Sequence, residues 1–343
     1  MKLLFWPVVL SIEILFVTRP ITSLCPPQDD TSFCLCTEST DTCFYSCTAS
    51  FGASLVSMGE YFNPCPRIKL SLTGEANFLP HGFFTKFGDM RSFEFTFSGL
   101  KLDSLTDPSP GPSVFQDTSV SDQWSLNFNW VETKNNWNWL DFSALEVGNT
   151  ATTSFYSNIS KIDNMNSDFY SAFENANLDS IVIGLAGLKS LADVPTGKYS
   201  TLVNMNFEKN EIQEIKRSHF PRPATNLKSI SLSWNKIRVL PENLFTEMPE
   251  LKYIDISANP ISVLPEMTFK PIISSLNRLY VINLALSCDC QLAWILPYWE
   301  TKVIDSGGMA WRPRRCKEPT HLANKSVGEL TVDNLNCADR VEA

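Results

Sequence analysis

An echo of 24 to 25 residues runs through the second half of the chain and sharply limits the folds open to it. Three copies align: Leu202, Met205, Phe207, Asn210, Ile212 and Ile215; Leu227, Ile230, Leu232, Asn235, Ile237 and Leu240; Leu251, Ile254, Ile256, Asn259, Ile261 and Leu264. Apolar residues two apart make a short strand with one buried side. The Asn then turns the chain, and its amide can both donate to and accept from backbone groups that a bend would otherwise leave unmet. The trailing apolar pair returns to the interior from the opposite wall. One such unit leaves its apolar side in water, so it must lie against neighbours of its own kind.

The spacing L-x-x-L-x-L-x-x-N-x-I-x-x-L resembles that of leucine-rich repeats. It predicts an α/β solenoid: a leucine-rich repeat horseshoe with short parallel strands on the concave face and a disulfide-bonded cap at each end. A further copy starts at Leu178, with Ile181, Ile183, Leu188 and Leu191, and carries Ala186 where the Asn would stand. The last, Leu276, Leu279 and Val281, carries Leu284 there. In the first half the same period survives in Leu70 and Leu72, in Phe93, Phe95 and Phe97, and in Leu126 and Phe128. The run Asp107 to Pro112 cannot be strand interior and reads as a protruding loop. Between Trp124 and Ile162 the pattern blurs around Trp130, Trp137 and Trp139. Either large aromatics replace leucines in irregular repeats there, or the segment is an insertion that grips a partner.

The ten cysteines lie only at the two ends. Cys25, Cys34, Cys36, Cys43, Cys47 and Cys65 crowd the front; Cys288, Cys290, Cys316 and Cys337 crowd the rear. A stack of repeats has two raw apolar ends, and cross-linked caps are what such ends need. Zinc is the competing use of closely spaced thiolates. A chain with only three histidines, only His321 of them near a cysteine cluster, and an apparent export signal favours disulfides.

That signal is Lys2, an apolar run from Leu3 to Val17 interrupted by Glu13, and a small-residue stretch ending at Ser23. The run is shorter than the ~20 residues that span a bilayer. The expected layout is a signal peptide over 1–23, a Cys-rich cap over 24–66, repeats over 67–284 and a rear cap over 285–343. The repeats are irregular over 67–177 and regular over 178–284. With a net charge of −9 and one small basic group at Arg312, Arg314 and Arg315, nucleic acid and anionic lipid are excluded as expected partners.

Catalytic signatures are missing from the sequence: it holds no Gly-rich phosphate loop, no H-E-x-x-H and no G-x-S-x-G. His81, His219 and His321 stand in distant repeats and read as surface or loop residues. No cofactor and no metal are expected. Recognition has the stronger basis, because residues alternating with the buried ones face outward from each strand. These are Ser180 and Val182; Asn204, Asn206 and Glu208; Ser229, Ser231 and Trp234; Tyr253 and Asp255; Arg278 and Tyr280. Trp234, Tyr253, Arg278 and Tyr280 fall in consecutive repeats and are expected to form one protein-binding patch on the concave face. Two sequons, Asn158-Ile159-Ser160 and Asn324-Lys325-Ser326, are glycan acceptors by motif.

Cys25-Pro26-Pro27 with Cys34-Leu35-Cys36 resembles the front cap of extracellular leucine-rich repeat proteins, although six cysteines stand where four are usual. Cys288-Asp289-Cys290-Gln291-Leu292-Ala293-Trp294 with Cys316 and Cys337 resembles their rear cap. That resemblance implies the pairs Cys288 with Cys316 and Cys290 with Cys337, and a short helix from Leu292 to Trp299 covering the last repeat. At the front fifteen pairings stay open. The whole layout is similar to secreted arthropod leucine-rich repeat proteins of the type that includes the non-catalytic subunit of shrimp luciferase (oplophorus-luciferin 2-monooxygenase). The resemblance implies a secreted companion chain, without catalytic residues, holding a small subunit that oxidises coelenterazine. A free recognition protein with immune or matrix ligands is the alternative.

Overall fold

In the computed structural model, parallel pairing binds strand to strand through the whole chain. It describes residues 24–25, 34–50, 65–84, 87, 89–134, 139–143, 145–147, 152–158, 162, 165–174, 176–302 and 315–337. The segment expected to be a signal peptide, Pro26 and Pro27, Trp137, Arg312 and Arg314 lie outside them. β1 (Cys34–Ser39) and β2 (Thr42–Ala49) form an antiparallel hairpin. From β2 onward every pairing is parallel: β3 (Arg67–Ala76), β4 (Asp89–Leu102), β5 (Thr118–Asn129), β8 (Thr152–Asn158), β9 (Leu178–Gly184), β10 (Asn204–Asn206), β11 (Ser229–Ser231), β12 (Tyr253–Asp255) and β13 (Arg278–Tyr280). Short β6 (Glu132–Thr133) pairs with β4, and β7 (Leu145–Val147) with β5.

The register aligns one inward residue per rung: Tyr45, Leu70, Phe95, Leu126, Phe155, Ile181, Met205, Ile230, Ile254 and Leu279. Ile230 and Leu232 are buried, as the repeat pattern requires. Rung length differs between the halves. From Phe95 to its partner Leu126 is 31 residues, whereas from Ile230 to Ile254 is 24. A longer rung encloses more space, and the front core fills it with rings. Phe84 stacks on Phe115 at 4.6 Å and Phe97 on Phe128 at 4.8 Å, and buried Trp124 lies over Phe173. Trp124 and Trp139 therefore take leucine places in the core, while Trp130 stands largely in solvent.

The Asn of each regular repeat ties two rungs together. The Asn235 amide donates to the carbonyls of Phe207, Leu232 and Ser233 at 2.9 to 3.2 Å, and its Oδ1 accepts the Ile212 N–H at 3.0 Å. Asn210 and Asn259 repeat the pattern, and Asn210 Oδ1 also accepts the N–H groups of Ala186 and Leu188. In the front half apolar Leu100 and Val131 occupy this register position and are fully buried. They need no amide because β4 runs on and pairs Lys101 with Glu132 and Leu102 with Thr133, so the sheet itself meets those backbone groups.

Disulfides close both ends. Cys25 is bonded to Cys36, Cys34 to Cys47 and Cys43 to Cys65; at the rear Cys288 is bonded to Cys316 and Cys290 to Cys337. The covering segment at the rear is a 3₁₀ helix, Cys290–Tyr298, followed by one turn of α-helix, Trp299–Lys302. Leu292, Ile295 and Trp299 are buried, and half-buried Trp294 stacks on Phe269 at 5.5 Å while its Nε1 donates to the Leu264 carbonyl at 2.8 Å. The fold is a leucine-rich repeat solenoid.

Truncating an Asn leaves several buried backbone groups unmet, so Asn235→Ala is expected to destabilise by about 2–3 kcal/mol. Leu232→Ala opens a core cavity at about 2–5 kcal/mol. Trp234→Ala, an exposed site, is expected to stay within about 0.5 kcal/mol. Urea unfolding of the three variants checks the order; equal losses would contradict the inward and outward assignment.

Candidate interaction surface

Side chains that alternate with the buried ones form three columns on the strand face. From β9 to β11 these residues are small and polar: Ser180, Asn204 and Ser229 in one column, Val182, Asn206 and Ser231 in the next. Several are spent on local order. Asn204 Nδ2 donates to Ser180 Oγ at 3.0 Å, and Asn206 and Asp255 each accept the N–H two residues on, at 2.9 Å.

At the rear end the face changes. Tyr253 stands directly beside Arg278, and Asp255 beside Tyr280. Tyr253 and Arg278 are exposed and Tyr280 is half-buried. Asn277 Nδ2 reaches the Tyr253 hydroxyl at 3.5 Å, and Arg278 Nη1 donates to the Asn277 carbonyl at 3.0 Å. Three of the four expected patch residues are thus gathered. Trp234 is not with them: it lies three residues beyond the end of β11, while Tyr253 pairs with Ser229 at its start. At ~3.3 Å per residue the two are separated by roughly 15 Å along the strand direction.

A second feature lies on the loop Asp107 to Pro112, over a hollow of about 620 Å³ lined by His81, Thr106, Asp107, Ser109, Ser113 and Leu140. His81 Nδ1 is 2.8 Å from the Pro112 carbonyl, and Nε2 lies 3.3 Å from Ser109 Oγ and 3.8 Å from Asp107 Oδ2. The residue types suggest a catalytic triad, but the wiring differs. Ser109 gives its hydroxyl proton to Asp107 Oδ1 at 2.7 Å and adds its backbone N–H at 2.9 Å, which holds the Asp107 carboxyl below the usual carboxylate range. In a triad the carboxylate orients Nδ1 and the hydroxyl donates to Nε2; here the carbonyl of Pro112 has the first role and the carboxylate takes the hydroxyl. His81 packs flat on Gly111, where an added Cβ would come within 2.3 Å of the ring. The cluster pins the loop to the neighbouring rung.

His219 departs from its expectation as a surface residue: it is buried, in the 3₁₀ turn Arg217–His219. Beside it the Arg217 guanidinium ties down the next turn by donating to the carbonyls of Thr246, Phe220 and Pro221 at 2.8, 3.2 and 2.8 Å. His81 is a half-exposed loop residue and His321 is exposed on the rear cap. Among the described residues no group of three or more His, Cys, Asp or Glu side chains is placed to hold a metal.

A leucine-rich repeat family model matches residues 200–269, the heart of the regular repeats. The crystal structure of human 5T4 (Wnt-activated inhibitory factor 1, trophoblast glycoprotein) is similar at a TM-score of 0.54 and 18% identity, covering 90% of this chain and 100% of that one. At that identity the likeness is one of fold. It fits the rung-by-rung register and the disulfides near both termini.

His219 generates a pH prediction. The Lys216 N–H donates to Nδ1 at 3.2 Å, which requires that nitrogen to be unprotonated, and burial pushes the ring's pKa below its ordinary value of 6.5 against the opposing pull of Asp193. The unfolded ring therefore binds protons at higher pH than the folded one. The contribution is complete above about pH 6.5 and is lost as the pH falls through the unfolded value towards the folded one. Between pH 7.5 and 5, unfolding midpoints of the parent are expected to fall further than those of His219→Gln; parallel curves would show that the ring does not titrate against folding.

Proposed function

We propose that this chain is a secreted, non-catalytic binding protein whose strand face holds a protein partner at its rear end. The observation that carries the reading is Tyr253 beside Arg278 and Asp255 beside Tyr280 on a face otherwise made of small polar residues. Aromatic and Arg anchors in such a setting concentrate binding energy. Five disulfides support an oxidising, extracellular address. Among the described residues no helix is long and apolar enough to cross a membrane. The triad-like residues around His81 are wired as a loop staple, which supports a chain that binds rather than reacts.

The layout shared with secreted arthropod leucine-rich repeat proteins gives the partner a concrete form: a small luciferase subunit that oxidises coelenterazine and is held and stabilised by this chain. The other form of the same reading is a free protein with an immune or matrix ligand. Mass spectrometry of the natively purified protein separates them. A fixed-stoichiometry complex with a small oxidase is expected for the first, an isolated glycoprotein for the second. Purified chain alone that turned over coelenterazine would overturn the non-catalytic reading.

Glycans on Asn324 and Asn158 belong to the same proposal. Asn324 is exposed on a turn of the rear cap, and Asn158 ends β8 in the register position between Asn129 and Gly184. A glycan at Asn158 leaves the Tyr253 end of the face clear. Tyr253→Ala and Arg278→Ala are each expected to weaken the native complex at least tenfold, with melting temperature unchanged. Unchanged affinity in both variants would move the interface elsewhere.

A further inference from the structure

Every rung leaves the strand face through one residue in the left-handed region. By register these residues form a single column: Gly99, Trp130, Leu185, Lys209, Trp234, Ala258 and Asn283, with φ between 54° and 61°. The column is itself hydrogen-bonded. Leu185 N–H donates to the Glu208 carbonyl, Lys209 to Ser233, Trp234 to Ser257 and Ala258 to Ile282, at 2.7 to 3.2 Å. The left-handed region suits Gly and Asn, which Gly99 and Asn283 supply, and is unfavourable for bulky side chains. Yet three steps carry large apolar residues that stand in water, Trp130 at 61%, Leu185 at 43% and Trp234 at 49% exposure. Each is unfavourable twice over, in its backbone and in its solvation, and no core packing compensates.

We infer that this lip is a docking ledge for a cationic, proline-rich segment of a partner in the polyproline II conformation. This surface is separate from the Tyr253 end and goes beyond the function proposed above. Spacing points to the conformation. Trp130 to Leu185 and Leu185 to Trp234 are two strand steps each, about 9.6 Å at ~4.8 Å per step. A polyproline II helix repeats its face every three residues, about 9.3 Å, so residues i, i+3 and i+6 meet the three anchors with under ~1 Å of drift. A β-strand repeats its face at about 6.7 Å and matches no such interval. Aromatic ledges that receive preformed proline helices are an established mode of peptide recognition. Area argues against a second copy or a folded domain: the three side chains offer roughly 300 Å², where a stable interface needs about 800 Å² from each side. Charge selects the sign of the segment, because a chain of net −9 attracts cations.

The probe is a fluorescein-labelled peptide of about seven prolines between two lysines, titrated by anisotropy against the full chain carrying Asn158→Gln, so that no glycan stands beside the ledge. Saturable binding is expected, weakened at least tenfold by Trp130→Asn and by Trp234→Asn, with melting temperatures equal to or above the parent's because Asn suits the left-handed step. Equal binding of a lysine-flanked Gly-Ser peptide would overturn the inference by reducing it to charge. So would full affinity in both Asn variants, or no binding at millimolar peptide. A chain that sediments as a dimer and becomes monomeric on Trp234→Asn would overturn it in favour of a second copy.

Discussion

Burial of one rung by the next is the interaction on which this protein rests. A single repeat presents an apolar wall that its own residues cannot cover, and only another rung of matching register closes it. Parallel pairing enforces that register, because a one-residue slip would turn Ile230 and Leu232 outward and Ser229 and Ser231 inward. Two rungs in the stack have only one neighbour. The front one is closed by the β1–β2 hairpin and three disulfides, the rear one by the 3₁₀ helix with Leu292, Ile295 and Trp299.

The two halves solve the turn after the strand differently. Behind Leu178 the strands are short, and an Asn amide satisfies the backbone of two rungs at once. Ahead of it the strands run past the turn and pair on, so Leu100 and Val131 replace the amide with apolar volume. This goes with rung length. The 31 residues between Phe95 and Leu126 enclose more interior than the 24 between Ile230 and Ile254, and stacked rings fill it at the packing density a protein interior requires.

Much of the rear half is legible in the sequence because its leucines, isoleucines and asparagines are each demanded by one physical role. The front is legible as strands from Phe93, Phe95 and Phe97, but the missing Asn gives no hint that sheet pairing replaces it. Cysteine pairing is hidden at both ends, since spacing alone leaves many connectivities open. His219 reads as a surface residue because nothing nearby in sequence announces that burial and the Lys216 N–H will claim it. The separation of Trp234 from Tyr253 was hidden for a geometric reason. Counting outward residues does not reveal that one stands at the start of a strand position and the other beyond its end. A signal did exist: Gly99 and Asn283 fall one residue before the Asn position, where a change of backbone hand would be sought.

That left-handed step has an evolutionary consequence. A side chain placed on it points away from the core, and its backbone hydrogen bond is made by the main chain whatever residue stands there. Glycine, lysine, tryptophan, alanine and asparagine all occupy it in this one molecule. The solenoid therefore carries a row of sites where chemistry can vary from generation to generation while the interior stays untouched, so that new specificities can arise without the scaffold being reinvented.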